Sequence, residues 1–344
     1  MLHQPCTTHP LLELISGHGL VPDRHLIPPT GDEWENFLIG AEWHGLTGLL
    51  ARAVETGDLD LTGSRVADVH DAHRNAMRRT LLLDASLVEV TKQFVAHGID
   101  YRCLKGSAHA HLLYPDASLR TYVDVDLLVT GEAFGDAAHV LTDLGMERTS
   151  PELRPGFDRE FGKGATFRRP GVVAVDLHRT LIAGPYAFLI PPDMLFSRRD
   201  EFFVAGRRVA ALGAEERCIH ACIHGTLSDQ QPKLISVRDV VQCMSDPRLD
   251  NDRLRTVAVA WRATALIARA TTMAQRIVPL GGPNIVPAWL ADEPPSRRQR
   301  FVLRAYDANG HRWRRQALAA VPFVHRGGRF RYFRAVLGAH VSHR

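Results

Sequence analysis

The run Tyr122-Val123-Asp124-Val125-Asp126-Leu127-Leu128-Val129 places two carboxylates one residue apart in an apolar segment. Strand side chains alternate between faces, so Asp124 and Asp126 share one face and Val123, Val125 and Leu127 point the other way, into a core. Like charges on adjacent same-face positions repel unless a cation sits between them. The cation this suggests is Mg2+, which takes hard oxygen ligands and completes its shell with water and phosphate oxygens. A third carboxylate, Asp176, lies in Val172-Val173-Ala174-Val175-Asp176-Leu177-His178, where Ala174, Asp176 and His178 share a face. Three carboxylates on neighbouring strands of one sheet can hold two Mg2+ ions. Two such ions activate an attacking oxygen and steady a departing pyrophosphate.

Lys105-Gly106-Ser107 follows an apolar segment and opens a helical one. Glycine permits close backbone approach, serine supplies a hydroxyl, and a helix start offers free amides to phosphate. Lys105 abuts this turn and is placed to meet a phosphate. Arg120 is read either as a second phosphate ligand or as the partner of a site carboxylate. His178 is read as a group that binds near the acceptor or hydrogen-bonds a carboxylate, rather than as the base. Lys163, between Gly162 and Gly164, reads chiefly as the approach to a hairpin.

The elements that must position these residues follow from periodicity. A helix is expected over 33–57, capped by Asp32 with Glu35 at its third position, and another over about 67–96, stopped by Gly98. Strands are expected over 99–104 and 123–129, with one or two helical turns over 107–113 between them and a helix over 131–144 after them. Hairpins are expected over 165–169 and 172–178, turning at Pro170-Gly171, and over 202–204 and 208–212. Helices are then expected over 214–227, 236–245, 250–275, 296–308, 312–320 and 328–340, with Pro279, Pro283, Pro287 and Pro294-Pro295 interrupting the series. The divisions are a helical region over 1–97, an α/β core over 98–212 and a helical, Arg-rich region over 213–344.

Leu104-Lys105-Gly106-Ser107, Tyr114-Pro115, Arg120 through Val129, and Val175-Asp176-Leu177-His178 together resemble the uncharacterised nucleotidyltransferase family of the DNA polymerase beta superfamily. The likeness extends more loosely through Trp43-His44-Gly45-Leu46 and His220 to Gly225. It implies an α+β fold, a small mixed nucleotidyltransferase-type sheet flanked by helical regions. It also implies that Gly106 and Ser107 bind the triphosphate, that Asp124 and Asp126 ligate two metal ions, and that Asp176 is the remaining metal ligand and a base. The expected activity is Mg-dependent transfer of an NMP from an NTP to a hydroxyl of a small molecule. Transfer to RNA or a protein side chain, and a non-catalytic nucleotide-binding or partner-binding module, are the alternatives.

The 344 residues carry a formal net charge of +4 and 45% apolar residues, enough for real cores. From Ser296 to Arg344 there are twelve Arg, no Lys and one acid, Asp307. Nucleic acid is therefore a less favoured partner, because Phe330, Phe333, Val336 and Leu337 are expected to form a core stripe on a helix whose other face carries Arg329, Arg331 and Arg334. No apolar stretch is long enough to span a membrane, and the first residues lack the pattern of a secretory leader. Five irregularly spaced cysteines read as reduced thiols of a cytoplasmic protein. Cys218, His220, Cys222 and His224 do not converge on one point when placed on a helix, so a zinc site is not expected. The chain lacks a Gly-x-Gly-x-x-Gly turn, a P-loop and a Gly-x-Ser-x-Gly elbow, which argues against dinucleotide redox, P-loop kinase and serine hydrolase chemistry.

Overall fold

The structure is a computed structural model that describes residues 9–20, 25–169, 173–228, 231–278, 282–307 and 312–338. Its centre is a seven-stranded mixed sheet. The strands are β1 (Tyr101–Cys103), β2 (Val125–Val129), β3 (Glu147–Arg148), β4 (Gly164–Arg168), β5 (Ala174–His178), β6 (Arg199–Val204) and β7 (Arg207–Leu212). Their order is β3-β4-β5-β2-β1-β7-β6. β2 runs parallel to β5 and β1 parallel to β7, and the remaining pairs are antiparallel.

The two faces of the sheet differ in chemistry. Val125, Leu127, Val129, Val175 and Leu177 pack with Leu83, Leu87, Val90 and Phe94 of the long helix Ser64–Ala96 and with Phe134, Val140 and Leu141 of the helix Phe134–Asp143. The other face carries Asp126, Leu128, Asp176 and His178. It meets a second core, to which the helices before and after the sheet both contribute: Leu12, Phe37 and Leu50 lie in the same cluster as Ile219, Val240 and Trp261. Alternation in β2 and β5 thus buries one face in aliphatic contacts and leaves the other for polar groups.

Several expected elements are divided or shortened. The helix expected over 33–57 is two, Trp34–His44 and Thr47–Glu55. Gly45 separates them with a left-handed φ of 72°, and a Cβ there would lie 3.0 Å from Ile235. Thr30 and Glu33 form the capping box, around the turn Gly31–Glu33, in place of Asp32 and Glu35. The helix expected over 250–275 is Asn251–Ala260 and Thr264–Ala274, broken where Arg262 adopts φ 54°. The helix expected over 214–227 runs Ala214–Ile223 and relaxes into a π-helical turn, His224–Ser228. The Pro170-Gly171 turn, Val172, Pro279, the last residue of 296–308 and the last two of 328–340 lie outside the described residues.

β2 begins at Val125, where its ladder to β5 begins, and Val123 is 62% exposed instead of buried. The ladder starts two residues later than the apolar run. The expected core stripe near the end of the chain is also rotated. In the helix Arg329–Gly338, Tyr332 and Ala335 are buried, while Phe330 and Phe333 are 70% and 40% exposed. Tyr332 inserts among Phe157, Phe161 and Phe188, and that contact sets the helix's rotation. No described helix is long and apolar enough to cross a membrane.

Candidate active site

Parallel pairing of β2 with β5 puts Asp126 directly opposite Asp176, and Leu128 opposite His178. The His178 ring reaches back across the pair, its Nε2 lying 2.8 Å from Asp126 Oδ1. Asp176 is held from the other side by β4, where Thr166 donates its hydroxyl to Asp176 Oδ1 at 2.6 Å. Ligand atoms of Asp126, Asp176 and His178 all lie within 4.8 Å of one another. Two carboxylates and an imidazole at this spacing could hold a divalent cation. His178 Nδ1 is buried without a hydrogen-bond partner in the structure.

Asp124 precedes β2 and stands slightly apart. The cation between it and Asp126 is Lys105, whose Nζ lies 3.0 Å from Asp126 Oδ2 and 3.5 Å from Asp124 Oδ2. The same-face repulsion that marks the motif is thus answered within the protein by an ammonium. Burial and the charge of Asp126 raise the Asp124 carboxyl to about 6. Burial would raise Asp126 as well, but Lys105 and His178 hold it well below the ordinary carboxylate range. Burial opposes the Lys105 charge, and the two carboxylates overcome it and raise its pKa. The His178 imidazole is lowered by burial first and by Lys163 second, which favours its neutral form. Lys163 is exposed on the turn before β4, close enough to Lys105, Asp126 and Asp176 to feel their charges.

The turn after β1 brings the backbone close to Tyr122. A Cβ on Gly106 would lie 3.1 Å from Tyr122 Cβ, so the close approach selects glycine. Tyr122 is itself anchored through its hydroxyl to Asp84 of the long helix. Gly106 departs from helical backbone angles and kinks the first turn of the helix Lys105–Leu113, which buries Ser107.

Arg120 lies apart from the carboxylate cluster and pairs with none of its members. Its Nε and Nη2 hold Asp239 of the helix Leu234–Met244 at 3.2 and 2.8 Å, and its Nη1 donates to the Thr121 carbonyl. Tyr114 donates its hydroxyl to the same carboxylate at 2.9 Å, and His109 Nδ1 lies 3.0 Å away. These groups are buried, and burial works against the Asp239 charge, yet Arg120 and His109 hold its carboxyl far below the ordinary range. Of the two readings of Arg120, pairing with a site carboxylate is replaced by a strut between the segment leading to Asp124 and a later helix.

A pocket of about 510 Å3 opens beside Lys105, Gly106, Arg120 and Asp124, and Trp43, Thr47, Arg79, His224 and Lys233 complete much of its wall. Cys218, Cys222 and Cys243 are buried thiols without disulfides, and Cys218 packs against the sulfur of Met244. Thr166, Asp239 and the wall residues Trp43, Arg79 and Lys233 are not singled out by sequence spacing. The signal for Asp239 is a lone acid in the apolar run from Leu234 to Val241, the usual mark of a buried pair.

Residues 30–279 match the family described as uncharacterised nucleotidyltransferase. The chain belongs to that family. Its strands β1, β2 and β5, the Gly106 turn and the three aspartates all fall within the matched span. No curated protein matches the chain in sequence. Among solved structures it is similar to an antigenic nucleotidyltransferase-like protein from Paracoccidioides brasiliensis, at 18% identity, covering 57% of this chain and 91% of that one with a TM-score of 0.36. It is also similar to the antibiotic-resistance factor ANT(2'')-Ia, at 15% identity, covering 55% of this chain and 96% of that one with a TM-score of 0.37.

Proposed function

We propose that the protein is a Mg-dependent enzyme that moves an NMP from an NTP to a hydroxyl of a small molecule. The observation that carries this reading is the register that sets Asp126 beside Asp176, with Asp124 two residues upstream. Asp126 and Asp176 would hold Mg2+, joined by Asp124 as Lys105 gives up its place between the two carboxylates. When bound, the metal offsets phosphate charge and makes the acceptor hydroxyl more acidic.

The chain's own residues then have distinct tasks. His178 fixes the rotamer of Asp126, and Thr166 that of Asp176. The Gly106 turn admits phosphate oxygens against its backbone. Asp176 takes the proton from the acceptor hydroxyl. The acceptor oxygen forms a bond to the α-phosphorus, the bond from that phosphorus to the α–β bridging oxygen breaks, and the bridging oxygen leaves with the electron pair as part of pyrophosphate. Lys105, displaced from the carboxylates but still beside them, offsets charge on the departing group. Asp126 and His178 are buried and Asp176 is half-buried, so the cluster is recessed and favours a slim hydroxyl-bearing group. Pyrophosphate release across the four NTPs, with panels of hydroxylated small molecules, tests the reading. Release that requires Mg2+ and an acceptor supports it, and no release with any pair contradicts it.

Transfer to RNA is the second reading. It is favoured by the exposure of Phe330 and Phe333 on a helix that also presents Arg331 and Arg334 to solvent. Aromatic rings interleaved with cations suit stacked bases and phosphates.

A further inference from the structure

The pocket beside the carboxylates contains charges that the chain leaves uncommitted. It touches Lys105, Gly106 and Asp124, but neither Asp176 nor His178. Two of its cations already have carboxylate partners: Lys105 holds Asp124 and Asp126, and Arg120 holds Asp239. Arg79, on the long helix, and Lys233, just before the helix Leu234–Met244, make no ion pair with any described residue. Glu42 is the only other acid in the lining besides Asp124. Thr47 also lines the pocket, 2% exposed, with its buried hydroxyl unpaired. Two free cations and an unused hydroxyl describe a site for a polyanion with several acceptor oxygens.

Lys233 is held in place by the segment Trp43-His44-Gly45. Its Nζ lies 5.7 Å from the centre of the Trp43 ring. The Leu234 amide donates to His44 Nδ1 at 3.2 Å, and Gly45 lets Ile235 approach. The helices before the sheet thereby place a cation supplied by a segment after it.

We propose that this pocket is the donor-triphosphate subsite, that Arg79 and Lys233 bind the phosphates that leave as pyrophosphate, and that Trp43 positions Lys233. The proposal rests on the nucleotidyl-transfer reading and extends it to residues outside the Gly-Ser turn and the aspartates. As the α–β bond breaks, negative charge accumulates on the departing group, and two cations facing it stabilise that charge. The side of the pocket decides donor over acceptor: it adjoins Asp124 and the Gly106 turn, and leaves Asp176 for the attacking hydroxyl.

Inorganic pyrophosphate with Mg2+, titrated calorimetrically into the intact protein, is the direct probe. Arg79 is exposed, so Arg79→Ala leaves the fold intact. Arg79→Ala and Lys233→Ala are each expected to weaken pyrophosphate binding about 10-fold or more, with unfolding temperatures near that of the wild type. Lys233→Arg restores binding. Trp43→Ala weakens binding in the wild-type background, has little effect in the Lys233→Ala background, and is rescued by Trp43→Phe. Wild-type binding with both alanine variants within 2-fold of it would overturn this assignment alone. If the wild type binds neither pyrophosphate nor any NTP, the transfer reading falls with it.

Discussion

Lys105 and Asp126 form the pair on which the site turns: a buried ammonium 3.0 Å from a buried carboxylate, with Asp124 3.5 Å from the same nitrogen. In a low-dielectric setting such a pair is stable only while its charges balance. One ammonium facing Asp124 and Asp126, with Asp176 close by, leaves two negative charges uncompensated, which a divalent cation would balance. The two aspartates therefore have opposite effects on the metal-free protein.

Asp124→Asn is expected to raise the stability of the metal-free protein, because burial and Asp126 raise the Asp124 carboxyl to about 6. Its folded pKa lies above its unfolded value, so its ionisation costs stability as pH rises from the unfolded value through the folded one. At pH 8 the gain is about 1–3 kcal/mol. Asp126→Asn is expected to lower stability, since it strips Lys105 of its closer partner. Thermal unfolding in EDTA at pH 8 checks both signs; a fall in Tm for Asp124→Asn or a rise for Asp126→Asn contradicts the charge balance.

Gly106→Ala is expected to destabilise by about 1–2 kcal/mol, because the new methyl meets Tyr122, which Asp84 holds in place. Relief comes from shortening the neighbour. Combining Gly106→Ala with Tyr122→Ala should leave less additional loss than the sum of the two single effects, as read by urea unfolding.

Arg120→Ala leaves Asp239 buried with only Tyr114 and His109, and is expected to cost about 3–5 kcal/mol. Replacing Arg120 and Asp239 together by apolar residues recovers much of that loss. Equal stability of the wild type and Arg120→Ala in urea would show that the strut carries no load.

Acid sensitivity follows from the buried histidines. His44 is lowered to about 4 by burial and by Lys233, and burial lowers His109, His220 and His224 as well. A folded pKa below the unfolded value means that the unfolded chain binds the proton first. Stability is then full above about pH 6.5 and is lost as pH falls toward the folded value. Between pH 7 and pH 5, His44 alone contributes a loss of about 2 kcal/mol. Urea midpoints at the two pH values test this, and His44→Asn should flatten the difference.

The carboxylate motif was legible because alternation in a strand is a local rule, and Asp126, Asp176 and His178 do share a face. Thr166 was not legible. A hairpin turning on Pro170-Gly171 alone pairs Thr166 with Val175, whereas the observed register pairs it with Asp176. A shift of one residue moves every side chain to the other face. The pairing of Lys105 with Asp124 and Asp126 is not legible from spacing, because it depends on the turn after β1 that brings the Lys105 side chain between them. Arg120 met Asp239, 119 residues away, a pairing no spacing rule reaches. The aromatic stripe at Phe330 and Phe333 failed because periodicity gives a helix's two faces but not which one docks.

The exposed Phe330 and Phe333 make the acceptor class testable. If RNA is the acceptor, Phe330→Ala and Arg331→Ala/Arg334→Ala each weaken binding of single-stranded RNA, and affinity falls steeply with salt. For a small-molecule acceptor, RNA binding is negligible near physiological salt and the same variants transfer at the wild-type rate. Filter binding at two salt concentrations separates the cases.

Pyrophosphate release shows whether Asp126 and Asp176 hold a metal used for nucleotidyl transfer. With Mg2+, an NTP and an acceptor that supports turnover by the wild type, Asp126→Asn and Asp176→Asn should each lower the rate on the order of 10³-fold. EDTA should abolish release by the wild type, and excess Mg2+ should restore it. Wild-type rates in both variants, or release that persists undiminished in EDTA, would exclude Asp126 and Asp176 as ligands of a required metal.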